Sequence, residues 1–93
     1  MPPMDIAALF GKNLASSRER AGLSQEELGI RASLHRTEIS QLERGLRVAR
    51  IDTLVKLAGA LGVAPADLIE GITWTPASVN AGSFSVARDA SAG

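Results

Sequence analysis

Four polar residues in one short stretch of the chain are suited to directional hydrogen bonding on one side of a helix. They are Arg36, Thr37, Ser40 and Gln41. Ile39 and Leu42 are three residues apart and fall on the opposite, buried side of such a helix. Arginine offers parallel N–H donors, glutamine a paired donor and acceptor, and the hydroxyls of serine and threonine both donate and accept. Together these side chains can form directional hydrogen bonds to the edge of a planar chemical group that carries both donors and acceptors.

The sequence gives no comparable indication of a catalytic site. No nucleophile, base and orienting group stand at plausible spacing, and no glycine-rich phosphate loop is present. The chain has no cysteine and a single histidine, His35, which excludes a disulfide framework and a cysteine-bound metal. We therefore expect no enzymatic activity, no metal and no cofactor.

Charge is concentrated in one region although the chain is neutral as a whole. Residues 31–50 contain five arginines and two glutamates, a local net charge of +3. A local basic face is what contact with a polyanion requires, and overall neutrality mainly limits nonspecific affinity.

Five short helices are predicted to position these residues, over residues 5–21, 24–32, 36–44 and 51–61 and for one or two turns from Pro65. Ser24 and Glu27 form a capping box at the second helix, where Leu23 and Leu28 are a hydrophobic staple. The second and third helices are so close in sequence that they must turn sharply against each other. On the fourth helix, we expect one face towards the core, made of Ile51, Leu54, Val55, Ala58 and Leu61.

Beyond Gly71 the pattern changes to alternating apolar and polar residues, at 72–75 and 83–86, joined by a stretch that ends in Asn80, Ala81 and Gly82. This predicts strand, turn and strand over residues 72–87, with residues 88–93 disordered. The apolar residues of the tail are Ile72, Trp74, Phe84 and Val86. An isolated hairpin is marginal in water. The tail therefore either folds back on the fourth and fifth helices or, as we favour, packs against a second copy to make a dimer.

Two segments resemble the Cro/repressor-type helix-turn-helix family, the XRE group. They are Leu-Ser-Gln-Glu-Glu-Leu at 23–28 and Ile-Ser-Gln-Leu-Glu-Arg-Gly at 39–45, followed by Leu-Gly-Val at 61–63 before a short helix. The resemblance covers residues 6 to 70. It implies an all-α, five-helix lambda-repressor-like domain over residues 5–71 that binds double-stranded DNA. It also implies a transcriptional regulator, and we expect a repressor. The absence of cysteine fits the cytoplasm, a reducing compartment. One short recognition helix reads only a few base pairs, so useful specificity needs two half-sites about 34 Å apart, which predicts a homodimer on a palindromic operator.

The resemblance also implies a role for each candidate residue. Base reading in the major groove falls to Arg36, Thr37 and Gln41, together with Ser40. Phosphate contacts fall to Gln25, Arg44, Arg47 and Arg50. His35 stands at the N-cap position of the third helix, and from that place we expect it to cap the helix and contact a phosphate. Arg18 and Glu43 match the family's buried ion pair between the first helix and the end of the third.

Several residues depart from the family's pattern. Ser33 stands where glycine is usual in the turn, so a backbone with positive φ would be strained there. Gly29 replaces alanine and is expected to loosen the second helix. His35 is a poorer N-cap than serine or threonine. Ala49 and Arg50 replace the usual Pro-Ser, which predicts a weak cap on the fourth helix.

Two other functions are compatible with the same fold. An antitoxin would bind a small toxin protein, with the tail as the docking surface, and repress its own operon. A protein-interaction module without DNA contact would account for the zero net charge. A membrane protein is not expected, since no apolar segment approaches the roughly 20 residues needed to cross a bilayer and no signal peptide is evident.

Overall fold

The chain folds as five short helices followed by two antiparallel strands, in a computed structural model that describes residues 5–77 and 82–87. The elements are α1 (Ile6–Arg20), α2 (Gln25–Ala32), α3 (Arg36–Glu43), α4 (Ile51–Leu61), α5 (Pro65–Leu68), β1 (Ile72–Thr75) and β2 (Ser83–Val86). The predicted fold class, five helices with a C-terminal hairpin, is confirmed. Residues 78–81 of the predicted turn and the predicted disorder of residues 88–93 lie outside the described ranges.

Side-chain caps define where the first two helices begin. Asp5 Oδ1 accepts a hydrogen bond from the Ala8 amide at 2.8 Å. The predicted capping box of α2 is present, with the Glu27 amide donating to Ser24 Oγ at 3.0 Å and the Ser24 amide donating to Glu27 Oε1 at 2.9 Å. The hydrogen bond that the Ser24 backbone amide donates stabilises the ionised carboxylate and so lowers the pKa of Glu27. These local bonds satisfy amides that a helix leaves unpaired at its start.

The core is shared by all five helices. Its buried members are Phe10, Leu14, Leu23, Leu28, Ala32, Ile39, Leu42, Leu57, Ala58 and Leu68. Each helix is too short to be stable alone in water, so packing against this common core holds it in place. The orientation of α3 is therefore fixed by the whole helical domain.

The expected core face of α4 is wrong at two positions. Ile51 and Val55 are 79% and 55% exposed. The residues that α4 buries are Thr53, Leu57 and Ala58. Apolar residues cover more of the surface of α4 than the core can bury. The face of the helix that contacts the core is the one that carries Leu57. An apolar stripe of Ile51 and Val55 is left on the surface.

Gly29 has a role in the turn that the sequence did not predict. Gly29 is buried, and a Cβ atom there would lie 2.6 Å from the Leu34 carbonyl oxygen. The Leu34 amide donates to the Gly29 carbonyl at 2.8 Å. The missing side chain therefore lets the turn after α2 close tightly. Ser33 adopts the positive φ expected of it, +56°.

The two strands pair in a register that separates apolar from hydroxyl side chains. Ile72 faces Val86 and Trp74 faces Phe84 across the ladder. Because side chains alternate along a strand, these four residues share one face, and the threonines and serines share the other. Trp74 and Phe84 are 55% and 58% exposed, whereas Ile72 is half-buried against the core.

The base of the hairpin is attached to α1. β2 lies against α1, and the Ala87 amide donates to the Gly71 carbonyl at 2.7 Å. Asn13 Nδ2 donates to the carbonyls of Leu68 and Glu70 at 3.1 and 3.0 Å, which fixes the chain just before β1. The inner half of the tail thus folds back on the helical domain, where β2 lies against α1 and Ile72 packs against the shared core, and the outer half, with Trp74 and Phe84, is exposed.

Among the helices within residues 5–77, none combines the length and the apolar character that crossing a bilayer demands. Within residues 5–77 and 82–87, no three histidine, aspartate or glutamate side chains gather where a metal ion would fit.

Candidate nucleic-acid interface

The outward face of α3 carries the four residues proposed to read bases. Arg36 and Thr37 are exposed, and Ser40 and Gln41 are half-buried. On the opposite side Ile39 and Leu42 are 0% and 1% exposed. The buried pair fixes the rotation of the helix, so the polar set can point only away from the core.

His35 caps the start of this helix. Its Nδ1 accepts a hydrogen bond from the Thr37 amide at 3.0 Å. A neutral imidazole that accepts through Nδ1 carries its proton on Nε2, so the outer edge of this exposed ring is a donor. A helix N-terminus also presents amides and a partial positive charge. This end of α3 is therefore suited to an anionic oxygen.

Three exposed arginines line the segment that follows α3. Arg47 Nη1 donates to Gln41 Oε1 at 3.2 Å, which joins a candidate phosphate contact to a candidate base reader. Arg50 Nε lies 3.3 Å from Asp52 Oδ1, with the Arg50 side chain 81% exposed. An exposed ion pair of this kind contributes about 0–1 kcal/mol. Arg44, Arg47 and Arg50 can therefore turn towards a polyanion at little cost.

Arg50 also occupies the N-cap position of α4, where it makes no side-chain capping bond. The sequence predicted a weak cap there. Leu46 and Val48, which alternate with Arg47 in this segment, are 63% and 62% exposed. The segment thus mixes cationic and apolar side chains at the edge of the α3 face.

An ion pair fastens the far end of α3 to α1. Arg18 Nε lies 2.6 Å from Glu43 Oε2, and Arg18 Nη2 lies 3.0 Å from Oε1. The side chains are only 15% and 7% exposed. The hydrogen bond to Glu43 raises the pKa of Arg18, against the opposing effect of burial. Arg18 Nη1 also donates to the Leu23 carbonyl at 2.9 Å, so the pair spans α1, the start of the motif and α3.

Gln25 makes a contact that the sequence did not predict. Its Nε2 donates to Glu43 Oε1 at 3.1 Å, which ties the first residue of α2 to the last residue of α3. A glutamine amide has two N–H donors. One serves Glu43 here, and the second is the atom that a phosphate contact would use.

Gly11 was also missed as a residue that positions α3. A Cβ atom at this site would lie 2.6 Å from the Glu43 carbonyl oxygen and closer still to that of Leu42. Its absence lets α1 lie directly against the end of α3. A glycine inside an otherwise helical pattern is the sequence signal that could have indicated this close approach.

Comparison with known proteins places the helical part of the chain in a family. Residues 9–70 match a family model described as a helix-turn-helix domain. Control protein C.BamHI of Bacillus amyloliquefaciens is 41% identical over 70 residues, 74% of this chain and 86% of that protein. An uncharacterised HTH-type transcriptional regulator of Sinorhizobium fredii, y4dJ, is 41% identical over 73 residues, 78% of this chain and 95% of that protein.

Solved structures give the same grouping. The restriction-modification controller protein C.AhdI from Aeromonas hydrophila has a TM-score of 0.66 and 37% identity, covering 67% of this chain and 90% of that one. The P22 c2 repressor protein, solved in complex with a synthetic operator, has a TM-score of 0.64 and 28% identity, covering 68% and 96%. The chain therefore belongs to the helix-turn-helix family, among the DNA-binding transcription regulators of the XRE type.

Proposed function

We propose that this chain is a transcriptional repressor of the cytoplasm that inserts α3 into the major groove of double-stranded DNA. The observation that carries this is the two-sided character of α3, with Ile39 and Leu42 buried and the hydrogen-bonding set facing out. An α-helix is about 10–12 Å across and the major groove about 12 Å wide. The helix therefore fits, and the side chains on its outer face are those that meet the base edges.

Within the groove, each residue has a chemical role. Arg36 donates two parallel hydrogen bonds to O6 and N7 of a guanine, and Gln41 pairs with N6 and N7 of an adenine. Thr37 and Ser40 contact bases through their hydroxyls, and Thr37 also packs against a thymine methyl. Gln41 Oε1 is already engaged by Arg47 at 3.2 Å. This oxygen has two lone pairs and can accept a second hydrogen bond, so Arg47 can orient the Gln41 amide as it meets the base, or turn to a phosphate as the domain docks.

Around the groove, a second set holds the sugar-phosphate backbone. We assign Gln25, His35, Arg44, Arg47 and Arg50 to it. Such contacts fix register and orientation but do not specify sequence. The exposed side chains of the three arginines and the outward donor of His35 support this assignment.

Two copies are needed for useful specificity. One short recognition helix reads only a few base pairs, and a two-fold dimer reads two half-sites about 34 Å apart. We therefore propose that the chain acts as a homodimer on a palindromic operator and represses by occupying it. Two of the exposed apolar surfaces, the α4 stripe and the outer half of the hairpin with Trp74 and Phe84, are available for contact with a second copy.

A salt titration with fluorescently labelled duplex DNA tests this function. Binding to random-sequence DNA should weaken steeply as salt rises, because phosphate contacts release counterions. Arg44→Ala should weaken binding to all sequences alike and lower the magnitude of the salt slope by about 1. Lys12→Ala, an exposed charge on α1, is the matched control and should change neither. Absence of binding at low salt contradicts the proposal and favours a protein-interaction module.

A further inference from the structure

The outer half of the hairpin presents an aromatic pair that residues 5–77 and 82–87 leave largely uncovered. Trp74 and Phe84 meet edge to face, with ring centroids 5.0 Å apart and planes at 70°. More than half of each side chain is exposed. The indole also lies over Gly82, where a Cβ atom would overlap the ring. The pair is thus held in a defined arrangement, continuous with Ile72 and Val86 on the same face.

The helical domain does not account for this surface. The family match ends at residue 70, before β1 begins. The core cluster is built from the five helices, and among the apolar residues of β1 and β2, which the structure describes, only Ile72 packs against it. The aromatic pair therefore stands outside both the shared family region and the core.

The charge of the hairpin indicates what kind of surface can cover it. Residues 71–77 and 82–87 include no ionisable side chain. In a two-fold contact each group near the axis meets its own copy, so like charges near the axis repel. A surface without charge escapes this repulsion. The α4 stripe, by contrast, is bordered by Arg50, Asp52 and Lys56.

We propose that the Trp74–Phe84 pair packs against the same pair of a second copy of this chain, about a two-fold axis. The proposal rests on the proposed function, because it assigns the contact between the two copies that share an operator. Aromatic side chains bury about 150–250 Å² each, so with just over half of each exposed the pair offers roughly 200 Å² per copy. A standard interface buries about 800 Å² per partner.

The small area of this contact means that, in dilute solution, it forms only when both copies are bound to DNA. The aromatic pair is too small to hold two dilute copies together. Binding to adjacent half-sites confines the copies to a small volume and raises their effective concentration, so that a weak contact becomes significant. The hairpin therefore contributes cooperativity between half-sites and leaves the affinity of each half-site unchanged.

Trp74 is the single tryptophan of the chain, so its fluorescence reports directly on the hairpin. The probes are one duplex with a single selected half-site and one with two half-sites in two-fold arrangement. We expect a blue shift of emission and protection from iodide quenching on the two-half-site duplex only. Phe84→Ser should abolish the shift and lower cooperativity at least tenfold, with unchanged affinity for the single half-site.

Val55→Ser removes an exposed apolar side chain from the α4 stripe and is the matched control. The shift should persist in this variant, and its loss there would overturn the assignment to the hairpin. Unchanged emission on the two-half-site duplex also overturns it, as does protection that appears only when a second small protein is added. If no DNA is bound, the proposed function fails instead. Pairing is then judged by sedimentation and emission at high protein concentration, where a Trp74-dependent dimer supports it and a monomer refutes it.

Discussion

Replacing Arg18 with methionine should lower the free energy of unfolding more than a substitution at an exposed position does. The guanidinium makes two hydrogen bonds to Glu43, at 2.6 and 3.0 Å, and one to the Leu23 carbonyl at 2.9 Å. Methionine keeps much of the apolar volume but removes every donor. The Glu43 carboxylate, only 7% exposed, is then left with the Gln25 amide at 3.1 Å.

The expected loss of stability comes from leaving the Glu43 carboxylate buried without its cationic partner. Breaking one partner of a buried pair costs about 3–5 kcal/mol. Small domains have about 0.05–0.15 kcal/mol of stability per residue, so the whole chain has roughly 5–14 kcal/mol. Each kilocalorie shifts the melting temperature of a domain of this size by about 4–8 °C. Arg18→Met should therefore lower Tm by more than about 12 °C.

A double-mutant cycle separates the stranded charge from lost packing. Arg18→Met together with Glu43→Met should recover most of the loss, because replacing a buried pair by apolar residues is often neutral or stabilising. Urea denaturation followed by circular dichroism measures each free energy of unfolding. Arg31→Met is the control, since Arg31 is exposed, makes no side-chain hydrogen bond within the described residues, and should change stability by less than about 0.5 kcal/mol. A loss below about 1 kcal/mol for Arg18→Met, or a double variant no better than it, refutes the reasoning.

Three further predictions concern the elements that support α3. Gly11→Ala should cost about 1–3 kcal/mol in urea denaturation, because the new methyl meets backbone oxygens at the end of α3. His35→Ala should cost about 1 kcal/mol by the same measurement, and His35→Ser should not, because serine restores the cap to the Thr37 amide. Glu27 has a lowered pKa in the folded chain, so its stabilising effect is full above its ordinary value of 4.5 and is lost as pH falls through the folded value. Melting curves of Glu27→Gln should accordingly show a smaller loss of stability on acidification than the parent chain; an equal loss would contradict this role for Glu27.

The elements were predictable where their signals are local. The capping box of Ser24 and Glu27, and the alternation at 72–75 and 83–86, each lie within a few residues and gave the right helix and strands. The positive φ at Ser33 was indicated by the resemblance alone, in which glycine is usual at this position of the turn.

The features that could not be predicted depend on close contacts between segments that are far apart in sequence. Ile51 and Val55 lie on an apolar arc like the one that is buried, and only the position of the other helices decides which part of α4 faces inward. Gly11 and Gly29 matter because backbone from another element, or from beyond the turn, comes close to them. The Gln25–Glu43 bond joins residues 18 positions apart. Helical periodicity contains no information about such contacts.

Selection of binding sites from a pool of randomised duplex DNA tests the central claim most directly. If α3 reads the major groove and two copies act together, the enriched sequences contain two short motifs related by a two-fold axis. Their centres should lie about 10 base pairs apart, or a multiple of that helical repeat. Arg36→Ala should relax the selected motif at one position in each half-site. A pool that shows no enriched motif, or a motif that Arg36→Ala leaves unchanged at every position, contradicts the account.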